Sequence, residues 1–153
     1  MTKPWSEAFE RAFAETIGHE LFPGFSNKSS DKGRLTVAGI TYRDNPDWLG
    51  WAVLDTALKE LGLSRDTTLD CHPSLVRRID AKLAENKSLL ALVKLRYHDG
   101  YWLPLNLDND PFAAAKKVFD TCVNMGPKPA LAAMRGARDR ILAEHQRLGL
   151  GDV

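Results

Sequence analysis

Apolar residues recur at helical spacing along most of this 153-residue chain, and the pattern breaks once, between Gly24 and Tyr42. That break is the strongest constraint on the fold. Residues Gly24 to Arg34 are rich in Gly, Ser, Asn, Asp and Lys, a loop composition, and Leu35-Thr-Val-Ala-Gly-Ile-Thr-Tyr42 then reads as a strand. Before the break, Phe9, Phe13 and Ile17 lie four apart among Glu7, Glu10, Arg11 and Glu15. This spacing predicts an amphipathic helix from about Ser6 to Glu20, with Ser6 as N-cap and Pro23-Gly24 as its stop. After the break, Asn45-Pro46 opens a helix whose stripe of Trp48, Val53, Leu54, Ala57, Leu58 and Leu61 ends at Gly62. Trp48 and Trp51 are assigned to packing. Further helices are expected at Pro73–Ala84, at Ser88–His98, at Phe112–Val123 and from Ala130 to about Leu148. The dense leucines of Ser88–His98 read as the most buried helix. The expected architecture is mainly α, of the α+β class: one domain over residues 1–153, a helical body with a small β-hairpin flap after the first helix.

Charge and composition exclude several functions. A net charge of +1 lacks the concentrated basic face of a nucleic-acid binder. No apolar run approaches the ~18 residues that would argue for membrane insertion. The amino-terminal stretch is interrupted by Glu7, Glu10 and Glu15, so it does not have the basic-then-apolar layout of a secretory signal. Synthesis in the cytoplasm is expected, with a separate exit route if the protein works outside the membrane. Cys71 and Cys122 lie far apart and form no CxxC, and His19, His72, His98 and His145 are scattered. No metal site and no cofactor is expected.

The remaining chemistry centres on two carboxyl groups flanking the break. Glu20 falls near the last turn of the first predicted helix, and Asp31 lies eleven positions on, in the loop. A carboxylic acid at a helix end, facing a carboxylate on a neighbouring loop, is a layout that cleaves glycosidic bonds. One group protonates the leaving oxygen while the other assists attack on the sugar carbon. The acid must stay protonated near neutrality, which needs an apolar pocket; Ile17, Leu21, Phe22 and Phe25 are placed to supply one. Asp31, in the wetter loop, suits a base or a stabiliser of the oxocarbenium-like transition state, and the Thr36 hydroxyl suits holding the attacking water. Each residue also has a plainer reading: Glu20 as a solvated surface acid, Asp31 as a turn former, Tyr101 and Trp102 as core rather than sugar-stacking rings, Asn124 as a C-cap.

Three stretches bear a resemblance to one family. His19-Glu20, then Phe25, Asn27, Asp31, Gly33, Thr36 and Gly39-Ile40-Thr41, is similar to the opening signature of the glycoside hydrolase family 108 muramidases. Tyr101-Trp102-Leu103-Pro104 and Phe119-Asp120-x-x-Val123-Asn124-x-Gly126-Pro127 resemble two later signatures, in the right order. Two departures stand out: Leu21-Phe22-Pro23-Gly24 replaces the glycine pair after the glutamate, and Lys28 stands where an aspartate is usual. The resemblance implies a lysozyme-like fold and cleavage of the β-1,4 bond from N-acetylmuramic acid to N-acetylglucosamine in peptidoglycan. It implies Glu20, Asp31 and Thr36 as catalytic residues, and Phe25, Asn27, Tyr101, Trp102 and Asn124 as substrate-binding. Such chemistry needs no cofactor, and the protein would reach the cell wall through a phage holin-like pore or a secretion route; a monomer is expected. Two other readings compete: a catalytically impaired lysozyme-like module that binds peptidoglycan or a phage or secretion partner, motivated by the altered loop, and an unrelated helical interaction protein.

Overall fold

The computed structural model describes residues 5–19, 22–32, 34–125 and 128–149. Among them are six α-helices: α1 (Glu7–His19), α2 (Gly50–Glu60), α3 (Pro73–Ala84), α4 (Lys87–Tyr97), α5 (Phe112–Met125) and α6 (Lys128–Arg147). A three-stranded antiparallel sheet, β1 (Ser26–Asn27), β2 (Leu35–Val37) and β3 (Ile40–Thr41), stands between α1 and α2. The class is the expected α+β. Contacts gather the chain into two compact units, residues Ile17–Leu95 and residues Met1–Thr16 with Arg96–Val153.

In the Ile17–Leu95 unit the single expected strand is folded on itself. Ala38 and Gly39 both take positive φ, 52° and 77°, as a two-residue hairpin of the type I′ class requires, so Val37 pairs with Ile40 and Thr36 with Thr41. β1 adds a third strand that the loop-like composition of Gly24–Arg34 concealed, pairing Ser26 with Thr36 and Asn27 with Leu35. α2 begins four residues later than Asn45-Pro46 suggests, because Asn45 does other work. It is buried; its side-chain amide donates to the Thr41 carbonyl, and its own carbonyl accepts the Trp51 indole N–H at 2.6 Å, which knots the hairpin to α2. Trp48 and Trp51 pack edge to face in the core, as expected, with the Trp48 ring lying where a Cβ on Gly50 would be. Leu63 N–H to Leu58 C=O and Gly62 N–H to Lys59 C=O, with Gly62 at φ 74°, close α2 in a Schellman motif. α3 matches its expected bounds and is capped by the His72 ring, which accepts from Ser74 N–H.

The other unit is built on aromatic rings. Ser6 caps α1 through Phe9 N–H at 3.0 Å, and the Phe9 ring meets Trp5, Phe13, His98, Trp102 and Phe119 at centroid distances from 4.8 to 5.9 Å. The end of α4 passes into a π turn, His98–Trp102, in which Leu103 N–H reaches back five residues to the His98 carbonyl. The wider turn directs Tyr97, Tyr101 and Trp102 all inward. Contrary to the sequence expectation, α4 is not the most buried helix. Only Leu89, Val93 and Tyr97, spaced by four, are buried along it, and Leu90 and Leu95 are exposed. Its leucines run denser than one helical stripe can hide. α5 instead buries Ala114, Ala115, Val118, Phe119, Cys122 and Val123.

Phe9→Ala is expected to cost about 3–5 kcal/mol, at the high end for a core truncation because five rings lose a partner. Phe9→Leu should cost clearly less. Chemical denaturation of the two variants checks this, and a Phe9→Ala cost below about 1 kcal/mol contradicts the central place given to this ring.

Candidate active site

Glu20 lies outside the described residues, as do Gly33 and Gly126-Pro127; the side chains of His19 and Asn124 are also outside them. What can be built is the frame on either side of Glu20. On the amino-terminal side, the buried Thr16 hydroxyl of α1 donates to Asp120 of α5, whose other oxygen takes Lys116 Nζ at 2.6 Å. Asp120 thus ties α1 to α5.

On the carboxy-terminal side the chain is pinned twice within four residues. Ala38 N–H donates to the Pro23 carbonyl at 2.7 Å, and Phe25 N–H donates to the Asp80 carboxylate of α3 at 2.8 Å. Burial pushes the Asp80 carboxyl above its ordinary 3.8, opposed in part by that N–H. Phe25 itself is buried. Asn27 turns its side-chain amide inward, to the Arg65 carbonyl and the Thr68 hydroxyl, both at 3.1 Å.

Asp31 sits at the exposed crest of the loop between β1 and β2, within two turns, Asp31 N–H to the Lys28 carbonyl and Arg34 N–H to the Asp31 carbonyl. Among the described residues its carboxylate takes no hydrogen bond or ion pair. The foot of the loop is strapped by Asp70: its N–H donates to the Asn27 carbonyl, and its carboxylate accepts Ser29 N–H at 2.9 Å. The Ser29 hydroxyl and then its N–H hold the Asp70 carboxyl below its ordinary range. Thr36 occupies the middle strand. Its neighbours Leu35 and Val37 are buried, so the pleat turns Thr36 to the other face, and the register sets Ser26 and Thr41 directly across from it on either side. The sheet therefore carries a row of three hydroxyls. The Thr36 hydroxyl donates to the Arg34 carbonyl at 3.0 Å, which leaves its oxygen able to accept from another donor.

A family model described as glycosyl hydrolase 108 matches residues 13–126, most of the chain. The chain belongs to the glycosyl hydrolase 108 family. Membership carries the lysozyme-like fold and a peptidoglycan-hydrolysing glycosidase activity. Neither a curated protein nor a solved structure matches the chain.

Within this glycosyl hydrolase 108 chain, the expected site residues separate. Asp31 and Thr36 belong to one loop-and-sheet segment. Phe25 and Asn27 adjoin them but are committed to packing and to internal hydrogen bonds. Tyr101 and Trp102 are each 1% exposed, and the Trp102 indole N–H is spent on Asp108 at 3.0 Å; the sugar-stacking reading is corrected to a core one. Both rings are held in the aromatic cluster of this unit, Tyr101 against Tyr97 and Trp102 against Phe9 and Phe119. The exposed aromatic beside the sheet is Tyr42, 39% exposed, with the Arg65 guanidinium 5.0 Å from its ring and Asp55 holding Arg65 at 2.7 and 2.9 Å. Asp70 and Asp80, the two carboxylates that fix the segment, were not singled out from sequence. For Asp80 a signal existed: it lies at helical spacing on the apolar stripe of Val76, Ile79 and Leu83, where an acid needs a partner. Among the described residues no three His, Cys, Asp or Glu side chains cluster to hold a metal ion, and no helix is long and apolar enough to cross a membrane.

Asp80 yields a signed pH prediction. Its carboxyl is raised in the folded state, so its contribution to stability is greatest in acid and falls as pH rises from 3.8 through the raised value. Asp80→Asn keeps an acceptor for Phe25 N–H and should flatten that slope. Asp80→Ala leaves the N–H unmet and should cost about 1–2 kcal/mol near neutrality. Stability measured between pH 3 and pH 7 separates the two; identical slopes in wild type and Asp80→Asn count against this account.

Proposed function

We propose that the protein is an N-acetylmuramidase, hydrolysing the β-1,4 bond from N-acetylmuramic acid to N-acetylglucosamine. The family match over residues 13–126 supports this reading, since the stretch it covers contains Glu20, Asp31 and Thr36 in the order that the signature demands. Glu20, in its acid form, donates its proton to the glycosidic oxygen as the bond to the sugar carbon breaks. The Asp31 carboxylate stabilises the positive charge spreading over that carbon and ring oxygen, or takes a proton from the water that adds to it. The Thr36 oxygen positions this water. The pair Ser26 and Thr36 supports the assignment by setting two hydroxyl side chains side by side on one face of the sheet for a hydroxyl-rich substrate.

The enzyme acts as a monomer on the cell wall, reaching it through a holin-type pore or a secretion route. That places it in phage-type lysis or in secretion-linked wall remodelling.

The first experiment is release of reducing ends from purified sacculi. Glu20→Gln keeps the shape but has no proton to give, and turnover should fall by about 10²- to 10⁴-fold with folding retained. Thr36→Val should lose about tenfold or more in kcat with a smaller change in KM. Wild-type activity unaltered by Glu20→Gln removes Glu20 from the mechanism. A wild-type protein that binds sacculi without cleaving them identifies a binding module.

A further inference from the structure

A cavity of about 330 Å³ opens where β1 and the loop after it meet the start of α3. Its apolar wall is made by Phe25, Pro73 and Val76, and its cationic side by Lys28 and Arg77. Among the described residues neither cation has an ion-pair partner. Asp70 also lines the cavity as a carboxylate held by Ser29, and one acid against two cations leaves the lining with net positive charge. An apolar wall with two free cations suits a ligand that carries both carboxylates and short alkyl groups.

Ser26 joins this cavity to the proposed site. It lines the cavity, and it also stands directly across from Thr36 in the sheet, where facing Cβ atoms lie about 4.5–5.5 Å apart. A muramyl sugar held at Thr36 would extend its lactyl branch over Ser26. That branch bears a peptide of small and acidic residues with free carboxylates.

We infer that this cavity binds the acidic peptide stem of the substrate, its carboxylates at Lys28 and Arg77 and its alkyl groups against Phe25, Pro73 and Val76. The inference rests on the muramidase reading for the substrate's identity. The site would make the enzyme prefer stem-bearing glycan over bare glycan, a selectivity held outside the catalytic residues.

Cys71, half-buried in the cavity wall, supplies a readout independent of catalysis. Cys122 is buried, with its thiol pushed up to about 11 by that burial, so it stays silent towards a neutral thiol reagent. A synthetic stem tetrapeptide should slow the labelling of Cys71, assigned by mass spectrometry, roughly five- to tenfold at saturation. The same peptide with its carboxylates amidated should give no protection, and Arg77→Glu should abolish protection by the acidic form. Arg77→Glu should also lower kcat/KM on sacculi while leaving turnover of amidase-stripped glycan unchanged. Absence of protection in the wild type, or equal protection in Arg77→Glu, overturns the inference. Protection without any sugar cleavage would uphold the cavity and defeat the muramidase reading, so the two failures are distinguishable.

Discussion

The packing of Phe9 against five other rings is the interaction on which the unit containing it depends. Each edge-to-face pair adds about 0.5–1.5 kcal/mol to what burial alone supplies, and Phe9 takes part in several at once. It brings together α1, the π turn after α4, and α5. The polar links are consistent with the same arrangement: Asp108 accepts both the Ser6 hydroxyl that caps α1 and the Trp102 indole, and Asp120 receives Thr16. Rings supply the energy, and these carboxylates, exposed at Asp108 and half-buried at Asp120, supply the register.

The unit of residues Ile17–Leu95 holds its sheet differently. Strands of two or three residues bury little, so the loop-and-sheet segment is secured by hydrogen bonds to fixed carboxylates and amides. Asp80 and Asp70 hold the two ends of β1 and the foot of its loop, while Asn45 anchors the hairpin's far side. Between these anchors the crest bearing Asp31 is left open to solvent. The flanking backbone is thus fixed, while the Asp31 carboxylate takes no partner among the described residues.

Much of the fold was legible in the sequence, because helical stripes such as Leu75, Val76, Ile79 and Leu83 report directly on which face is buried. The misreadings have separate causes. α4 looked the most buried because its leucines run denser than one stripe can hide. Of the two readings open for Tyr101 and Trp102 the core one holds, which a motif of adjacent aromatics cannot decide. The strand from Leu35 to Tyr42 hid a two-residue hairpin because Ala38 is an unusual occupant of a left-handed position, lacking the Asn or Asp that signals such turns. β1, only two residues long, leaves no periodicity to read. As for the site, the family signature pointed to Asp31 and Thr36, whereas Asp70 and Asp80 act through the backbone of residues distant in sequence, which no local pattern encodes.

The division of the chain also bears on the order in which the protein can form during synthesis. Residues 17–95 are continuous and can close their hairpin and bury Trp48, Trp51 and Leu54 as they leave the ribosome. The first turns of α1 cannot do the same. The rings that cover Phe9 are, apart from Trp5 and Phe13, encoded from His98 onward, so its apolar face waits unpaired until most of the polypeptide has been translated. The first turns of α1 are therefore among the first segments made and among the last to find their partners, and a nascent chain carries them with their apolar face uncovered.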